Sequence, residues 1–313
     1  MKLIIVPALL ALAAPLAARH LPAPADALPR AAATPADTAA LRAAVREAER
    51  QTGGVIGFHV RHLESGETFG ARGGEPFFLA SVLKVPLAVH VLRQVERGRI
   101  GLDDTVRIDA ARLVWGENAF RRRLSAGTRV TVAQLLEGAI SDSDNTAANE
   151  LLHLVGGPAA VTADLREMGF AQIRIDRDYT RLSEYGPLDA RDTGTPEAVT
   201  NLLAALWSGR LLGPAQTQRL IGWMTDTRNP EGRMVAGVPR GTTVAHKTGT
   251  WTADSEPHTL ALNDVGVITL PGGRGHLAVA VFVRNARGQI AQTQGAIALV
   301  TRAAYAQWAN GAR

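Results

Sequence analysis

The sequence contains no cysteine, and this absence limits both its folding and its chemistry. A chain without cysteine forms no disulfide, no thiolate metal site and no thiol-linked lipid anchor. Its stability must therefore come from a packed core. With 46% hydrophobic residues among 313 positions, the chain has enough apolar side chains to build one.

The features that indicate nucleic-acid or metal chemistry are also scarce. The basic residues are scattered arginines, with Arg121 to Arg123 as the longest run, and they lack the interleaved aromatics of a nucleic-acid platform. His59 and His62 lie three apart on a predicted strand and so point to opposite faces, and no H-E-x-x-H or G-x-S-x-G pattern occurs. We therefore expect no nucleic-acid partner, no metal and no cofactor.

Residues 1–25 have the pattern of a cleaved secretory signal peptide. Lys2 precedes an apolar stretch from Leu3 to Ala18, and small residues suited to a signal peptidase follow. The stretch is too short to favour a membrane-spanning helix. We expect cleavage before residue 26 and a periplasmic or secreted protein without a membrane anchor. Its net charge falls from +5 to +3 as Lys2 and Arg19 are removed.

Residue periodicity predicts strands at both ends of the remaining chain and helices between them. "TPADTAALRAAVREAERQTGG" predicts a helix that begins at threonine and aspartate signals, and "GVIGFHVRHLESGETFG" predicts a hairpin. "TTVAHKTGTW", "NDVGVITLP" and "GHLAVAVFVRNA" predict an antiparallel meander, and "IAQTQGAIALVTRAAYAQWANG" predicts a closing amphipathic helix. From about Phe77 to Gly213 the patterns are mostly helical and include a Thr131 and Gln134 capping box.

These elements predict an α/β (α+β) fold with a five-stranded antiparallel sheet. The sheet is built from both ends of the chain, is flanked by the N- and C-terminal helices and carries an inserted all-helical lobe. We expect residues 26–313 to form a single catalytic domain. We expect the mature protein to be a monomer. The sheet lobe would cover about 35–76 and 214–313, and the helical lobe about 77–213. The cleft between the lobes is where chemistry is expected.

The run "FFLASVLKVPLAVHVL" contains a candidate nucleophile and its base. Ser81 and Lys84 lie three residues apart, so on a helix they share a face. A serine hydroxyl becomes nucleophilic when a neighbouring base takes its proton, and a lysine can be that base where burial lowers its pKa. The alternative is that Lys84 extends to the surface, as most helical lysines do.

Two further triplets strengthen the catalytic interpretation. S-D-N at residues 143–145 lies between two predicted helices, where it can face a cleft, cap a helix, or do both. K-T-G at residues 247–249 lies on a predicted strand, where lysine offers positive charge to a carboxylate and glycine lets a substrate approach closely. S-x-x-K, S-D-N and K-T-G in this order are the motif set of class A β-lactamases and penicillin-binding proteins.

From about Leu41 to the C-terminal helix, the sequence resembles the class A serine β-lactamases. The segments "SDNTAAN", "ARDTGTPEAV", "HKTGT" and "NDVGVITLPGGRGHLAVAVFV" carry the resemblance. It implies hydrolysis of a small-molecule β-lactam through an acyl-enzyme. Ser81 would be the acylated nucleophile, Lys84 its proton acceptor, and Ser143 the proton shuttle to the leaving nitrogen.

The resemblance also implies a set of substrate-binding groups. The backbone N–H groups of Ser81 and Thr250 would form the oxyanion hole, and Asn145 would contact the substrate amide. The substrate carboxylate would be held by the strand residues Lys247, Thr248, Gly249 and Thr250. Arg233 matches the place where some family members keep an arginine that assists the strand residues. The alternative interpretation is that Arg233 is a solvated charge on a loop.

The segment "DRDYTRLSEYGPLDARD" departs from the family pattern. The family loop resembles R-x-E-P-x-L-N, and its glutamate activates the water that releases the acyl group. Arg177 and Asp192 fall where the family keeps a loop-closing ion pair, and that register puts Tyr179 at the glutamate. A phenol with a pKa of about 10 is a poor base at pH 7. Slow deacylation is therefore expected, unless Asp178 or Glu184 replaces the base.

Three hypotheses follow from this departure. The first is a β-lactam-hydrolysing serine enzyme limited by deacylation. The second keeps the nucleophile and acts on the D-Ala-D-Ala end of a peptidoglycan stem peptide, as penicillin-binding proteins do. The third is a long-lived acylated β-lactam binder or sensor.

Overall fold

The computed structural model describes residues 38–114, 118, 120–185, 189–228, 232–252 and 259–310. The predicted signal peptide lies outside these residues. The chain divides into residues 1–32 and 33–313, and everything described belongs to the second unit.

The described residues contain nine strands. They are β1 (Val55–His62), β2 (Thr68–Ala71), β3 (Phe77–Phe78), β4 (Thr105–Arg107), β5 (Arg129–Thr131), β6 (Thr193–Gly194), β7 (Val244–Thr252), β8 (Thr259–Thr269) and β9 (His276–Ala286). Five of them form one sheet in the order β2-β1-β9-β8-β7, and every pairing in it is antiparallel. The predicted five-stranded sheet is confirmed, as are its hairpin and its meander.

Nine α-helices are described in the same residues. They are α1 (Ala39–Thr52), α2 (Lys84–Glu96), α3 (Val132–Ile140), α4 (Asn145–Leu154), α5 (Gly157–Glu167), α6 (Tyr179–Tyr185), α7 (Pro196–Trp207), α8 (Pro214–Thr225) and α9 (Ile290–Ala309). Helix α3 begins with the predicted capping box, in which the Thr131 and Gln134 side chains each bond the other residue's backbone N–H. None of the described helices is both long enough and apolar enough to cross a bilayer.

The sheet separates two hydrophobic cores. Along β9, Ala278, Ala280 and Phe282 belong to the core shared with the helical segment, whereas Val279 and Val281 belong to the core beneath α1 and α9. Successive side chains of a strand point to opposite faces, so a strand covered on both faces is apolar throughout. This explains the uninterrupted run "LAVAVFV" in β9.

The predicted N-terminal helix is confirmed as α1, in which Thr38 makes no side-chain capping hydrogen bond and buried Leu41 and Val45 pack into the core. Two other local predictions need correction. The apolar run that begins at Phe77 is not one helix but a short strand, a 3₁₀ turn and then α2. The segment around Tyr179 was expected to be a loop, and it contains the short helix α6.

Candidate active site

Ser81 and Lys84 lie at the junction between a 3₁₀ turn and an α-helix. The 3₁₀ turn spans Ala80–Leu83, and α2 begins at Lys84. A 3₁₀ turn has three residues per turn, so side chains at i and i+3 line up more closely than on an α-helix. The turn is entered through Ala80, whose φ of 48° is unusual for a residue with a side chain.

The Lys84 amine is buried among hydrogen-bonding oxygens rather than extended to the surface. Lys84 is fully buried, with 0% of its surface exposed. Nζ lies 3.0 Å from Ser81 Oγ, 2.6 Å from the Ser143 carbonyl oxygen, 2.7 Å from Asn145 Oδ1 and 3.3 Å from Ser143 Oγ. The surface alternative for Lys84 is therefore wrong.

This arrangement suits an uncharged amine. Burial lowers the pKa of Lys84 well below its usual value, and the nearby charge of Lys247 lowers it further, while Asp144 opposes the shift. A neutral amine has two N–H groups and one lone pair. The Ser143 carbonyl and Asn145 Oδ1 can only accept, so they take the two N–H groups. In that form the lone pair can accept from a hydroxyl, and the nearer of the two hydroxyl oxygens is Ser81 Oγ, at 3.0 Å against 3.3 Å for Ser143 Oγ.

Ser143 lies between the two buried lysines. Lys247 Nζ donates to Ser143 Oγ at 2.9 Å and to the Thr248 carbonyl oxygen at 3.0 Å. Ser143 itself has a φ of 58°, a conformation that the surrounding structure must hold in place. Asp144 provides that support, because its side chain accepts from Ala147 N at 2.7 Å and caps α4. The S-D-N triplet thus both contacts the buried lysines and caps a helix.

Strand β7 passes very close to the 3₁₀ turn that carries Ser81. A Cβ atom at Gly249 would lie 2.7 Å from the Leu79 carbonyl oxygen, so only glycine fits there without a shift. Asn263 Nδ2 donates to the carbonyl oxygens of Phe78 and Leu79, at 2.9 and 3.0 Å, and ties the turn to β8. Half-buried Thr248 and exposed Thr250 lie on the same strand.

Arg233 is a buried part of this region and not a solvated loop charge. Its guanidinium donates to the carbonyl oxygens of Gly249 and Asn263, at 3.0 and 2.9 Å, and to Thr250 Oγ1 at 2.6 Å. Burial lowers the pKa of Arg233, and the charge of Asp264 works in the opposite direction. Arg233 and Lys247 therefore place two cationic side chains beside Thr248 and Thr250.

Tyr179 packs against Lys84 as a neutral phenol. Its ring centroid lies 4.8 Å from Lys84 Nζ, and its backbone N–H donates to Asn149 Oδ1 at 3.1 Å. Burial raises the pKa of Tyr179 well above its usual value of 10, and the charge of Asp192 raises it further. Tyr179 is thus placed in the site in the protonated form, which has no basic oxygen at neutral pH.

The alternative bases are the two flanking carboxylates, Asp178 and Glu184. Asp178 Oδ1 accepts from Arg181 N at 3.0 Å and so caps the first turn of α6. The side chain of Glu184 lies outside the described residues. Among the described residues, no cluster of three or more histidine, aspartate or glutamate side chains could hold a metal ion.

The structure brings Arg177 and Asp192 together in a buried ion pair. Arg177 Nε donates to Asp192 Oδ2 at 2.5 Å, and both side chains are almost fully buried. Asp192 Oδ1 also accepts from the backbone N–H groups of Asp176 and Arg177, at 2.8 and 3.1 Å. The ion pair therefore closes the segment that presents Tyr179 to Lys84.

Replacing Asp192 with asparagine should destabilise the fold strongly, because it leaves the Arg177 charge buried without its partner. Breaking a buried ion pair in this way costs roughly 3 to 5 kcal/mol in the free energy of unfolding, measured by urea denaturation. Asp189→Asn is the matched control, since the exposed Asp189 carboxylate lies 3.9 Å from the same arginine and should matter little. Equal losses in both variants would contradict this assignment.

The two buried lysines should titrate far from the ordinary lysine pKa. The chain has only three lysines, at positions 2, 84 and 247, so ¹³C-labelled lysine gives a simple NMR titration. Burial and the charge of Arg233 lower the pKa of Lys247 to about 7, against the opposing charge of Asp264. Carboxylate binding should then weaken as the pH rises through that value, because Lys247 loses its proton. Titration of every lysine near pH 10 would contradict the expectation.

Sequence reasoning did not find Asn149. Besides accepting from Tyr179 N, its amide donates to the Arg112 carbonyl oxygen at 3.1 Å and to Thr180 Oγ1 at 3.3 Å. A signal was present, because "NTAAN" puts Asn145 and Asn149 four residues apart on one face of α4. One asparagine contacts Lys84, and the other holds the segment opposite it.

A serine whose hydroxyl meets a buried amine, at the edge of an antiparallel sheet and beside a helical insertion, defines a class of protein. The fold and the site are those of an active-site-serine hydrolase. The model of the β-lactamase enzyme family matches residues 40–308.

Individual relatives agree with that match. The carbapenem-hydrolysing β-lactamase KPC of Klebsiella oxytoca is 35% identical over 256 residues, which cover 82% of this chain and 85% of that protein. The crystal structure of a β-lactamase from Chitinophaga pinensis is 32% identical, with a TM-score of 0.80 over 85% of this chain and 98% of its own. An ancestral class A β-lactamase is 36% identical, with a TM-score of 0.77 over 84% and 98% of the two chains. The chain therefore belongs to the β-lactamase enzyme family, among the class A serine enzymes.

Proposed function

We propose that the protein opens β-lactam rings through an acyl-enzyme on Ser81 and releases the product slowly. The observation that carries this proposal is the place of the buried Lys84 amine, 3.0 Å from Ser81 Oγ and within hydrogen-bond distance of the Ser143 carbonyl oxygen and Asn145 Oδ1. Membership in the β-lactamase family supports the same substrate class.

In the acylation step, Lys84 takes the Ser81 proton as Ser81 Oγ bonds to the lactam carbonyl carbon. The backbone N–H groups of Ser81 and Thr250 stabilise the negative charge that develops on the carbonyl oxygen. The ring C–N bond then breaks, and Ser143 delivers a proton to the departing nitrogen. Ser143 Oγ can regain that proton from either of the two lysines beside it.

Substrate binding follows from the charges at β7. Lys247 and Arg233, together with Thr248, Gly249 and Thr250, bind the carboxylate that sits beside the lactam ring. Asn145 contacts the amide of the substrate side chain through the end of its carboxamide not used by Lys84.

Deacylation is the slow step because Tyr179 stands where the family keeps its glutamate. Release of the acyl group requires a water that has lost a proton, and a general base typically contributes roughly 10² to 10⁴ in rate. A buried phenol whose pKa is raised is not that base at neutral pH. Asp178 is engaged in capping α6.

Stopped-flow kinetics with a chromogenic cephalosporin, followed by intact mass spectrometry, tests this function. We expect a burst of about one equivalent of product, a covalent adduct on Ser81, and then slow turnover. The absence of both burst and adduct would refute the proposal. An adduct that persists for hours without turnover would instead identify a long-lived β-lactam binder or sensor.

The D-Ala-D-Ala peptidase is the second candidate. The observation in its favour is again Tyr179, because a peptidase that transfers its acyl group does not need the family's water-activating glutamate. Lys247 and Arg233 suit a terminal peptide carboxylate as well as a lactam carboxylate. Release of D-alanine from a pentapeptide mimic would support this function, and rapid β-lactam turnover without such release would exclude it.

The proposed site of action is the periplasm or the exterior of the cell. The signal pattern of residues 1–25 supports export, and both substrate classes are found there. We further propose that the mature protein acts as a monomer without a membrane anchor.

A further inference from the structure

Two buried, ionisable residues of the sheet are not used by the chemistry described above. His246 on β7 and Asp264 on β8 are 1% and 0% exposed. His246 Nδ1 lies 2.9 Å from Asp264 Oδ1, and Asp264 Oδ2 accepts from the backbone N–H of Met234 at 3.0 Å. A buried carboxylate is costly unless it is paired and hydrogen-bonded, so this arrangement requires an explanation.

The position of Asp264 relates it to the substrate-binding strand. Asp264 is directly opposite Thr248 in the β7–β8 register. Because side chains alternate along a strand, His246, Thr248 and Thr250 share one face of β7, and Asp264 lies on that face too. His246 itself fits because its cross-strand neighbour is Gly266, where a Cβ atom would lie 2.7 Å from His246 Cβ.

Asp264 also fixes the place of Arg233. The backbone N–H that Asp264 accepts belongs to Met234, the residue immediately after Arg233. From there the guanidinium reaches the Gly249 carbonyl oxygen and Thr250 Oγ1. Arg233 is buried, and the opposite charge of Asp264 favours its charged form, as it does for Lys247.

We propose that Asp264, oriented by His246, is the positioning residue that sets specificity for substrates carrying a carboxylate. It anchors the backbone at Met234, which aims Arg233 at Thr250, and its negative charge balances the two cations that bind the carboxylate. This inference rests on the proposed function and adds to it the residue that decides which β-lactams are acylated fast.

The test compares acylation of a chromogenic cephalosporin with that of its methyl ester, which lacks the carboxylate charge. Single-turnover kinetics give the second-order rate constant of acylation for each compound. For Asp264→Asn, we expect the acid to be acylated on the order of 10- to 100-fold more slowly than by the wild type, as for a lost charged hydrogen bond. The ester should react within about twofold of wild type, since no carboxylate is bound.

The chain offers a matched control in a second buried His–Asp pair. His90 Nδ1 lies 2.8 Å from Asp164 Oδ2 on the helical side of the molecule, between α2 and α5. Asp164→Asn removes a carboxylate of similar burial, so it should lower stability without changing the ratio of acid to ester acylation. A structural role for Asp264 alone would not change that ratio either.

Each outcome separates the inference from the proposed function. If the wild-type protein acylates neither compound, the proposed function fails and the inference fails with it. If wild type forms the Ser81 adduct and folded Asp264→Asn keeps the wild-type ratio, the inference alone is overturned. Should Asp264→Asn not fold by circular dichroism, His246→Ala removes one hydrogen bond to the carboxylate. That variant should lower the ratio about threefold, and an unchanged ratio would again overturn the inference.

Discussion

Replacing Tyr179 with glutamate should shorten the lifetime of the Ser81 adduct by roughly 10² to 10⁴, the usual contribution of a positioned general base. The Tyr179 ring lies against Lys84, and its backbone N–H is held by Asn149, so a carboxylate at this position would point toward the same amine. Time-resolved intact mass spectrometry after mixing with benzylpenicillin measures the decay of the adduct directly.

Tyr179→Gln is the control, because glutamine has the shape of glutamate and no basic oxygen. Both variants remove the ring and open the same space for water. The comparison therefore separates the effect of adding a base from the effect of admitting water. We expect the glutamine variant to keep a long-lived adduct. If both variants release the acyl group equally fast, the ring of Tyr179 blocks water and the missing base is not the limiting factor.

The Tyr179→Glu substitution should not accelerate acylation. A carboxylate beside Lys84 favours the charged ammonium and therefore raises the pKa of that amine. A charged lysine cannot accept the Ser81 proton. The gain in Tyr179→Glu is therefore expected in the decay of the adduct and not in its formation.

The sequence was sufficient to predict the five-stranded sheet and its flanking helices because these elements have local signals. Alternating residues predicted the β1–β2 hairpin, a capping box predicted the start of α3, and the segments "NDVGVITLP" and "GHLAVAVFVRNA" predicted strands of the meander. Motif order then predicted which residues form the candidate site. Lys84 and Lys247 lie far apart in the chain and are brought to a common partner, Ser143, while Lys84 also contacts Ser81.

What the sequence did not predict depends on contacts between distant segments. The ring of Tyr179 over Lys84 joins residues 95 positions apart, and the pair His246 and Asp264 needs the register of two strands. No pattern within a single window contains such information. One compositional signal was available, since two of the three lysines in the chain occupy the S-x-x-K and K-T-G motifs.

The strained backbone of the site has a common explanation. Ala80, Ser143 and Asp192 all have positive φ values, of 48°, 58° and 53°. Such residues persist only where the surroundings over-determine them, and they concentrate at functional sites. Here the surroundings are specific, because Asp144 caps α4 beside Ser143 and the Arg177 ion pair holds Asp192. The strain at these three residues lowers the stability of the fold, and it is tolerated where the Ser81 hydroxyl, the Lys84 amine and the Tyr179 segment are held in contact.

Replacing Lys84 with methionine should slow acylation of Ser81 by roughly 10² to 10⁴, because the variant has no group to take the hydroxyl proton. Methionine is similar in length and apolar, so it fits a side chain that is fully buried. The rate of adduct formation at saturating cephalosporin, measured by stopped flow, reports this step alone.

The buried amine also gives a stability signature with a definite sign. Because the pKa of Lys84 is lowered on folding, the unfolded chain binds more protons than the folded one between the folded pKa and about 10.4. Stability from this group therefore rises with pH across that window, and Lys84→Met lacks the rise. Urea denaturation at pH 7 and pH 9 should show that the free energy of unfolding of the wild type increases relative to that of Lys84→Met as the pH rises.

Lys247→Met is the matched control, since it removes the other buried lysine but leaves the amine beside Ser81. It should mainly raise the substrate concentration needed for acylation, because a carboxylate-binding charge is lost, while the rate at saturation falls much less than in Lys84→Met. If Lys84→Met acylates Ser81 at the wild-type rate, another group accepts the proton. The 3.0 Å contact between Lys84 Nζ and Ser81 Oγ would then have no catalytic role.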